Sequence, residues 1–343
     1  MKKLILLIFF SPIFIGVSFA SENHGGDIYK RHRADSHAPI SIMGDYHHKQ
    51  GEAMFSYRYI LMDMDGYQKG SSGSNYTRAR IKPSYGTYMT VPLNMERAMH
   101  MFGVMYALSD DYIVMSMINY NDNKMEIKRH SDGQKRTVNS KGWGDSKLTV
   151  TRRLFESEIV KIYVSLGLSL PTGSISKEDM MFGDSKRTLG YKMQLGSGTY
   201  DILPTLTYFH TRNDFSFGIQ TSAEIRIGEN SKNYTLGNRY KLNAWIAKPI
   251  NQINSSFSLA LKGESLDKVD GSHQEMTTIM SFAQDKESTG YRRVNFSVGM
   301  NYLSLFLPGL RFAIEYLRPV YNDVNQVQLE LDHTILLGIQ YSN

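Results

Sequence analysis

From residue 51 to the carboxyl end, apolar and polar side chains alternate in runs about a dozen residues long. One run places polar or small residues between Val160, Ile162, Val164, Leu166, Leu168 and Leu170. A period of two puts alternate side chains on opposite faces of a β-strand. No stretch beyond residue 20 is apolar enough for a membrane helix, yet one face of nearly every run is apolar. This combination is typical of a transmembrane β-barrel, whose outer face meets lipid and whose inner face meets water.

The runs predict an all-β fold, a transmembrane up-and-down antiparallel β-barrel of about 12 strands over residues 51–343. The strand candidates are residues 51–64, 94–107, 111–124, 142–155, 158–170, 199–211, 214–227, 237–249, 254–264, 290–302, 308–320 and 328–341. Each is long enough for a tilted membrane strand of about 9–11 residues. Short connections between the candidates alternate with longer ones. The longer connections are residues 65–93, 125–141, 171–198, 228–236, 265–289 and 321–327. This order predicts that both termini are periplasmic and that every longer connection lies outside the cell.

The chain begins with features of an export signal. Lys2 and Lys3 precede an apolar run over residues 4–17, and Ser18-Phe19-Ala20 offers a cleavage site between small residues. We therefore expect a cleaved signal peptide over residues 1–20 and a location in the outer membrane of a Gram-negative bacterium.

Residues 21–50 form a separate polar section with little periodicity. This section carries His24, His32, His37, His47 and His48, without regular ligand spacing. Neighbouring residues of an extended chain point apart, which argues against a metal site at the adjacent pair. The expectation is a segment that lies either in the periplasm or in the lumen as a plug.

Composition narrows the partners. The formal net charge of +6 is not concentrated in a basic run with interleaved aromatic residues, so no nucleic-acid partner is predicted. The chain has no cysteine, which excludes disulfides and lipid attachment through cysteine. The expected partners are outer-membrane lipid, the barrel-assembly machinery during insertion and a small-molecule solute, with no cofactor. The pattern leaves the oligomeric state open.

Several sequence blocks resemble one family. The blocks are residues 38–45, Gly51-Glu52, 57–59, 62–64, 99–101, Tyr106, 109–111, 142–145, 168–173 and 194–201. Together they resemble the outer-membrane proteins called "MetA-pathway of phenol degradation" transporters, over about residues 38–205. The resemblance implies an outer-membrane barrel that transports a solute.

Methionines form the most distinctive inward pattern. Eight fall at inward positions of three neighbouring strands, namely Met54, Met62, Met64, Met99, Met101, Met105, Met115 and Met117. The favoured interpretation is space filling in a narrow lumen, because methionine adapts to irregular gaps. The second is a surface along which an aromatic or apolar solute slides. The third is a Cu(I) path through Met99, Met101, Met115 and Met117, since thioethers suit that ion.

Charged residues occupy the remaining inward positions. They are Arg58, Asp145, Lys147, Arg153, Lys161, Asp201, Glu224, Arg226, Arg239, Lys241, Lys262, Glu264, Arg293, Arg311, Glu315, Glu330 and Asp332. These side chains predict a network of ion pairs that fills the lumen, a lining that selects solutes, or both together.

These patterns predict a channel or transporter that passes a small solute, with an aromatic or apolar one favoured, through a narrow lumen. The alternative is a structural or adhesive surface protein that acts through its long outer loops, and a lesser one is copper-related transport. A channel folds a loop inward, whereas an adhesin displays its loops. No enzymatic activity is predicted, since Gly196-Ser197-Gly198 lacks the strand-turn-helix context of a nucleophile elbow.

Overall fold

The computed structural model describes residues 34–44, 49–81, 86–183, 185–212 and 214–343. The predicted signal peptide, residues 21–33 and residues 45–48 lie outside the described part. Within it, the strands are β1 (Ala53–Gly70), β2 (Ser72–Ser74), β3 (Thr90–Ala107), β4 (Tyr112–Arg129), β5 (Lys135–Trp143), β6 (Ser146–Glu156), β7 (Val160–Leu170), β8 (Glu178–Met180), β9 (Lys186–Thr188), β10 (Tyr200–Thr211), β11 (Ser216–Ile227), β12 (Tyr234–Thr235), β13 (Arg239–Ile250), β14 (Ser255–Leu266), β15 (Asp270–Gly271), β16 (Tyr291–Leu303) and β17 (Leu310–Ser342).

Helical structure is limited to single turns in the part of the chain that the structure describes. There is one α-helical turn, Tyr76–Ala79, and the 3-10 turns are Ala34–Ser36, Tyr191–Met193, Asn251–Ile253, Phe282–Gln284 and Lys286–Ser288. None of these described helices is long and apolar enough to cross a membrane.

The strands form a closed antiparallel barrel. Eleven of them follow one another in the order β17-β16-β14-β13-β11-β10-β7-β6-β4-β3-β1, and pairing of β17 with β1 closes the ring. The strand β17 contributes two walls, since its residues up to Val324 pair with β16 and those from Val327 onward pair with β1. The chain turns between them at Asn325 and Gln326, where Gln326 has a φ of 52°. The prediction of an all-β barrel of about 12 strands is therefore confirmed.

Two predicted connections are wrong because strands continue through them. Residues 125–141 form a hairpin, in which β4 extends to Arg129 and pairs with β5. The outward side chains there are charged. The alternation of apolar and polar residues therefore ends before the strand itself ends. Residues 321–327 contain only the tight turn within β17. The predicted strand at 142–155 is also divided, since Gly144 and Asp145 separate β5 from β6.

Glu330 and Asp332 face outward, so their predicted inward position is wrong. Asp63 pairs with His333 but the next residue of β1, Met64, pairs with Leu331. Asp332 is therefore an extra residue in β17, a β-bulge. One extra residue moves every following side chain to the opposite face, which strict alternation in the sequence cannot reveal.

The predicted faces are found on the other central strands. In β7, Leu166 is 61% exposed while Tyr163 and Ser165 are buried. On the outer face of β1, β3, β4 and β5, rings lie in contact around Tyr57, Tyr59, His100, Phe102, Tyr120 and Trp143. Such aromatic girdles are typical of the lipid–water boundary of a transmembrane barrel.

Replacing Leu166 with arginine should cost about 2–4 kcal/mol of folding free energy, because the residue lies mid-strand on the lipid face. The measurement is a urea titration of the barrel refolded in vesicles. Leu166→Met is the matched control and should change little. Leu154→Arg, near the short connection after β6 and beside the native Arg152, should cost much less. Equal losses for both arginine variants would contradict the membrane position.

Candidate functional site

Residues 34–44, here called the lumen segment, lie against the inner wall of the barrel. Five of their carbonyl oxygens accept hydrogen bonds from wall side chains, from Ser256 to Ala34 (2.8 Å), Ser216 to Asp35 (2.7 Å), Arg311 to Ala38 (2.8 Å), Arg58 to Ile40 (3.0 Å) and Gln220 to Met43 (2.7 Å). The donors belong to four strands, β1, β11, β14 and β17. The segment is therefore held from several sides of the lumen.

A buried ion pair anchors the middle of the lumen segment. Lys262 donates hydrogen bonds to the Glu315 carboxylate and to the Ser41 hydroxyl. The backbone N–H of Ser41 donates to the other oxygen of the same carboxylate at 3.0 Å. Glu315 is fully buried and Lys262 nearly so. Buried charges of this kind are tolerated only when each is paired and hydrogen-bonded, as both are here.

Apolar side chains of the lumen segment form two hydrophobic clusters with the inner wall of the barrel. Ile42 and Ala38 pack with Phe209, Trp245 and Ala260. On the other side, Ile40 packs with three small or aliphatic residues, Ala313, Leu317 and Leu336. Ile40 also lies over Gly338, where an added Cβ would be 2.5 Å from its Cγ1. Glycine is needed at this position for the close approach of the segment.

The eight predicted methionines do not form one patch. Met54, Met105, Met115 and Met117 form a buried cluster, with Met101 and Met43 of the lumen segment packed against it. Met64 packs with a second cluster that contains Met95 and Met125. Met62 and Met99 belong to neither. All eight face inward, but ten positions on β1 separate Met54 from Met64, about 3.3 Å each, so shared parity does not bring them together.

The predicted inward charges form ion pairs across neighbouring strands. They are Lys147–Glu224 (3.1 Å), Arg226–Asp201, Arg226–Glu224 (3.4 Å), Arg239–Glu264 (3.2 Å) and, at the end with the short connections, Lys161–Glu156 (3.2 Å). Asp145 instead accepts hydrogen bonds from Ser197 and from the backbone N–H of Gly173. Most of the charged lumen wall is therefore internally neutralised.

A cavity of about 150 Å³ remains between the lumen segment and the wall. The lumen segment contributes Ser41, Met43 and Gly44 to it. The wall contributes methionines and charged groups, Met115, Met117, Lys147, Glu224, Arg239 and Lys241. The cavity therefore has an apolar thioether side and a charged side.

A cation that the sequence pattern missed lies in a longer connection. Lys192 is in the 3-10 turn Tyr191–Met193 and donates a hydrogen bond to Gln328 at 2.8 Å. Burial, together with the positive charges of Arg293 and Arg97, lowers the pKa of Lys192 to about 7. Nothing in the alternation marks a residue between strands, so only the fold places this lysine beside the wall.

The longer connections pack on one another. Phe282 contacts the rings of Tyr67 and Tyr88, and these residues share a buried cluster with Met181, Leu189 and Met193. Gln284 donates to the carbonyl of Thr188 at 2.7 Å, and Thr188 donates to Glu275 at 2.9 Å. Connections from distant parts of the chain therefore form one packed layer at this end of the barrel.

Solved outer-membrane barrels share this architecture. An outer membrane channel from Pseudomonas putida F1 aligns with a TM-score of 0.60 at 12% identity, over 88% of this chain and 99% of that one. The chain folds as an outer-membrane β-barrel. A FadL homologue from Pseudomonas aeruginosa aligns with a TM-score of 0.43 (9% identity, 85% and 90% of the chains), and the NanC porin with 0.39 (10%, 83% and 98%).

No family model and no curated protein sequence matches the chain. The outer-membrane barrel fold that the resemblance implied is therefore supported. Membership of the "MetA-pathway of phenol degradation" transporters stays a prediction.

The bulge in β17 creates one group of metal-ligand side chains on the outer face of the barrel. Ligand atoms of Asp63, Asp332 and His333 lie within 4.8 Å of one another. His333 Nδ1 and Asp332 Oδ2 are 3.0 Å apart, and Arg318 lies 3.7 Å from the same carboxylate group. The acidic charge is therefore already partly neutralised by protein side chains.

Proposed function

We propose that the protein is an outer-membrane channel that passes a small solute through its lumen, and that the lumen segment acts as a plug. The observation that carries the proposal is the position of residues 34–44 inside a closed barrel, with a cavity of about 150 Å³ beside them. The predicted signal peptide supports export to the outer membrane. Closure of the barrel leaves no sheet edge exposed to lipid.

The arrangement of the longer connections supports a channel over an adhesin. An adhesive barrel displays its loops, whereas here residues 171–198 and 265–289 pack on each other and on the ends of β1 and β3. A packed layer at the end of a lumen restricts which solutes can enter. No catalytic step is part of the proposal.

The methionine cluster supports an apolar or aromatic solute. Met43, Met115 and Met117 line the same cavity, so a solute that passes the lumen segment contacts thioethers. This contact fits methionines that only fill space in the lumen, and it also fits a surface along which an apolar or aromatic solute slides. A copper path is the weaker proposal, because Met115 and Met117 are buried in the cluster, Met101 packs at its edge and Met99 lies outside it.

A disulfide between the lumen segment and the wall should stop passage. In the variant Ile40→Cys/Gly338→Cys, an ideal Cβ at position 338 lies 3.8 Å from the Cβ of residue 40. A disulfide requires a separation of about 3.8 Å, and the native chain has no competing cysteine. Oxidised proteoliposomes should lose uptake of phenol, and reduction should restore it, because solute passage requires the plug to move.

Ile40→Cys alone is the matched control and should respond to neither oxidant nor reductant. Absence of both solute uptake and ionic conductance in the wild type and the reduced variant would reject the channel. Equal uptake in the oxidised and reduced double variant would instead reject the plug.

A further inference from the structure

We propose that Arg97, Lys192 and Arg293 form an oxyanion-binding site beneath the packed outer connections, which makes the lumen selective for anionic solutes. The selectivity rests on the proposed channel function, whereas the binding does not. The ligand chemistry is a carboxylate or phosphate group, free or carried by a larger solute.

Neutral amides, rather than carboxylates, hold these three cations. The hydrogen bonds run from Lys192 Nζ to Gln328 Oε1 (2.8 Å), from Arg293 Nε to Asn322 Oδ1 (3.1 Å) and from Arg97 Nη2 to Asn121 Oδ1 (3.5 Å). An amide oxygen orients a cation without cancelling its charge. Each group is thus positioned but still carries its full attraction for an anion.

Three other lumen cations show a contrast. Lys147, Arg226 and Lys262 each pair with a carboxylate. Among the residues that the structure describes, none of the three amide-held cations lies within 4 Å of one. Glu264 is opposite Arg293 in the β14–β16 pairing, but its ion pair is with Arg239. Positive charge is therefore in excess at this end of the lumen.

Amides on paired strands hold two of the cations. Asn322, which accepts from Arg293, also donates to Gln68 Oε1 at 2.7 Å. Gln68 is directly opposite Gln328, the acceptor of Lys192, in the β1–β17 pairing. The Arg293 amide group therefore lies beside the Lys192–Gln328 hydrogen bond, across the seam between β1 and β17. Each hydrogen bond positions its ammonium or guanidinium group before any ligand arrives.

One buried donor of the site has no protein partner in the described part of the chain. Arg97 Nε is buried and has no hydrogen-bond partner among the described residues. All three side chains are only partly buried. Arginine presents a planar fork that matches carboxylate and phosphate oxygens, and lysine adds a point charge.

The site should respond to pH through Lys192. Its surroundings are Arg97 from β3, Arg293 from β16 and Gln328 from β17, with Met64, Met95, Met125 and Phe282 as apolar neighbours. No carboxylate of the described chain pairs with it. Because the pKa is about 7, Lys192 is charged at pH 6 and largely neutral at pH 8. A bound anion favours the charged form, so binding should be tighter at pH 6.

Reversal potentials in a KCl gradient test the selectivity. The wild-type full chain in planar bilayers should favour chloride, and Arg97→Gln/Lys192→Gln/Arg293→Gln should lose this preference or favour potassium. The matched control, Lys124→Gln/Lys135→Gln/Lys141→Gln, removes the same charge from exposed outward ion pairs with Glu96, Glu126 and Asp122. It should leave the reversal potential nearly unchanged, since salt screens exposed charges beyond about 10 Å at 0.1 M.

Calorimetric titration of the detergent-solubilised full chain tests binding independently of transport. The probes are benzoate, acetate and inorganic phosphate, which separate an aromatic carboxylate, a small carboxylate and a free phosphate. Affinity for at least one should fall about tenfold for each cation removed. Lys192→Arg should abolish the difference between pH 6 and pH 8 for benzoate and acetate, which stay fully ionised at both pH values. Binding without conductance would support the site while rejecting the channel. Conductance without anion preference, together with no binding of any probe, would overturn the site alone.

Discussion

Deletion of residues 21–44 should raise the single-channel conductance several-fold while the barrel stays folded. The lumen segment fills space between strands on several sides, and its removal leaves that space to water and ions. The backbone hydrogen bonds between the barrel strands do not involve the lumen segment, because the first strand, β1, begins at Ala53. Planar bilayers report the conductance, and heat-modifiable mobility on gels reports folding.

Deletion of residues 21–33 is the matched control, since it retains the lumen segment. We expect its conductance to match the wild type. If both deletions raised the conductance equally, the described residues 34–44 would not be the obstruction. If neither did, the lumen would be closed elsewhere, with the packed outer connections as the first alternative.

Replacing Glu315 with alanine should destabilise the barrel by about 3–5 kcal/mol, because it leaves a buried lysine without its partner. Among the described residues Lys262 has no other carboxylate partner, and the Ser41 N–H also loses its acceptor. The lumen segment should detach at its centre, so conductance should rise together with the loss of stability. Urea titration in vesicles and bilayer recordings measure the two effects.

The double variant Lys262→Met/Glu315→Leu separates charge from packing. It replaces the ion pair with apolar side chains of similar size, and it should recover most of the stability. Glu96→Ala, which removes an exposed partner of Lys124, should cost less than about 1 kcal/mol. A loss for Glu96→Ala as large as that for Glu315→Ala would argue against the buried pair as the anchor.

The barrel could be predicted from the sequence because lipid on one side and water on the other impose a period of two. In β7, that period assigns Leu166 and Ser165 to opposite faces, as the structure shows. The prediction fails where the physical constraint changes. Beyond the aromatic girdle, the outward side of β4 carries Asp122, Lys124 and Glu126, so the lipid pattern disappears although the pairing continues.

The candidate site was less predictable from the sequence, because it depends on which side chains lie close together in the fold. The alternation along a strand shows only which face of the strand a side chain is on. Alternation identified Arg293 and Glu315 as inward, but it could not show which amide or ion lies beside them. Lys192 and Met43 lie outside the strands and reach the lumen only through the fold. The bulge at Asp332 likewise depends on a register shift that no single strand reveals.

The first and last strands of the barrel meet, and this has a consequence for the order of assembly. The Ala53 N–H donates to the side chain of Asn343 at 2.8 Å, and Ser41 contacts Glu315, 274 residues away. Neither the last seam of the barrel nor the seat of the lumen segment exists until β17 has arrived. Contacts between such distant residues form slowly, since a long loop must close first. Biogenesis should therefore end with one late step that seals the cylinder and seats the segment, and chains that stop before β17 should stay open-edged and bound to the insertion machinery.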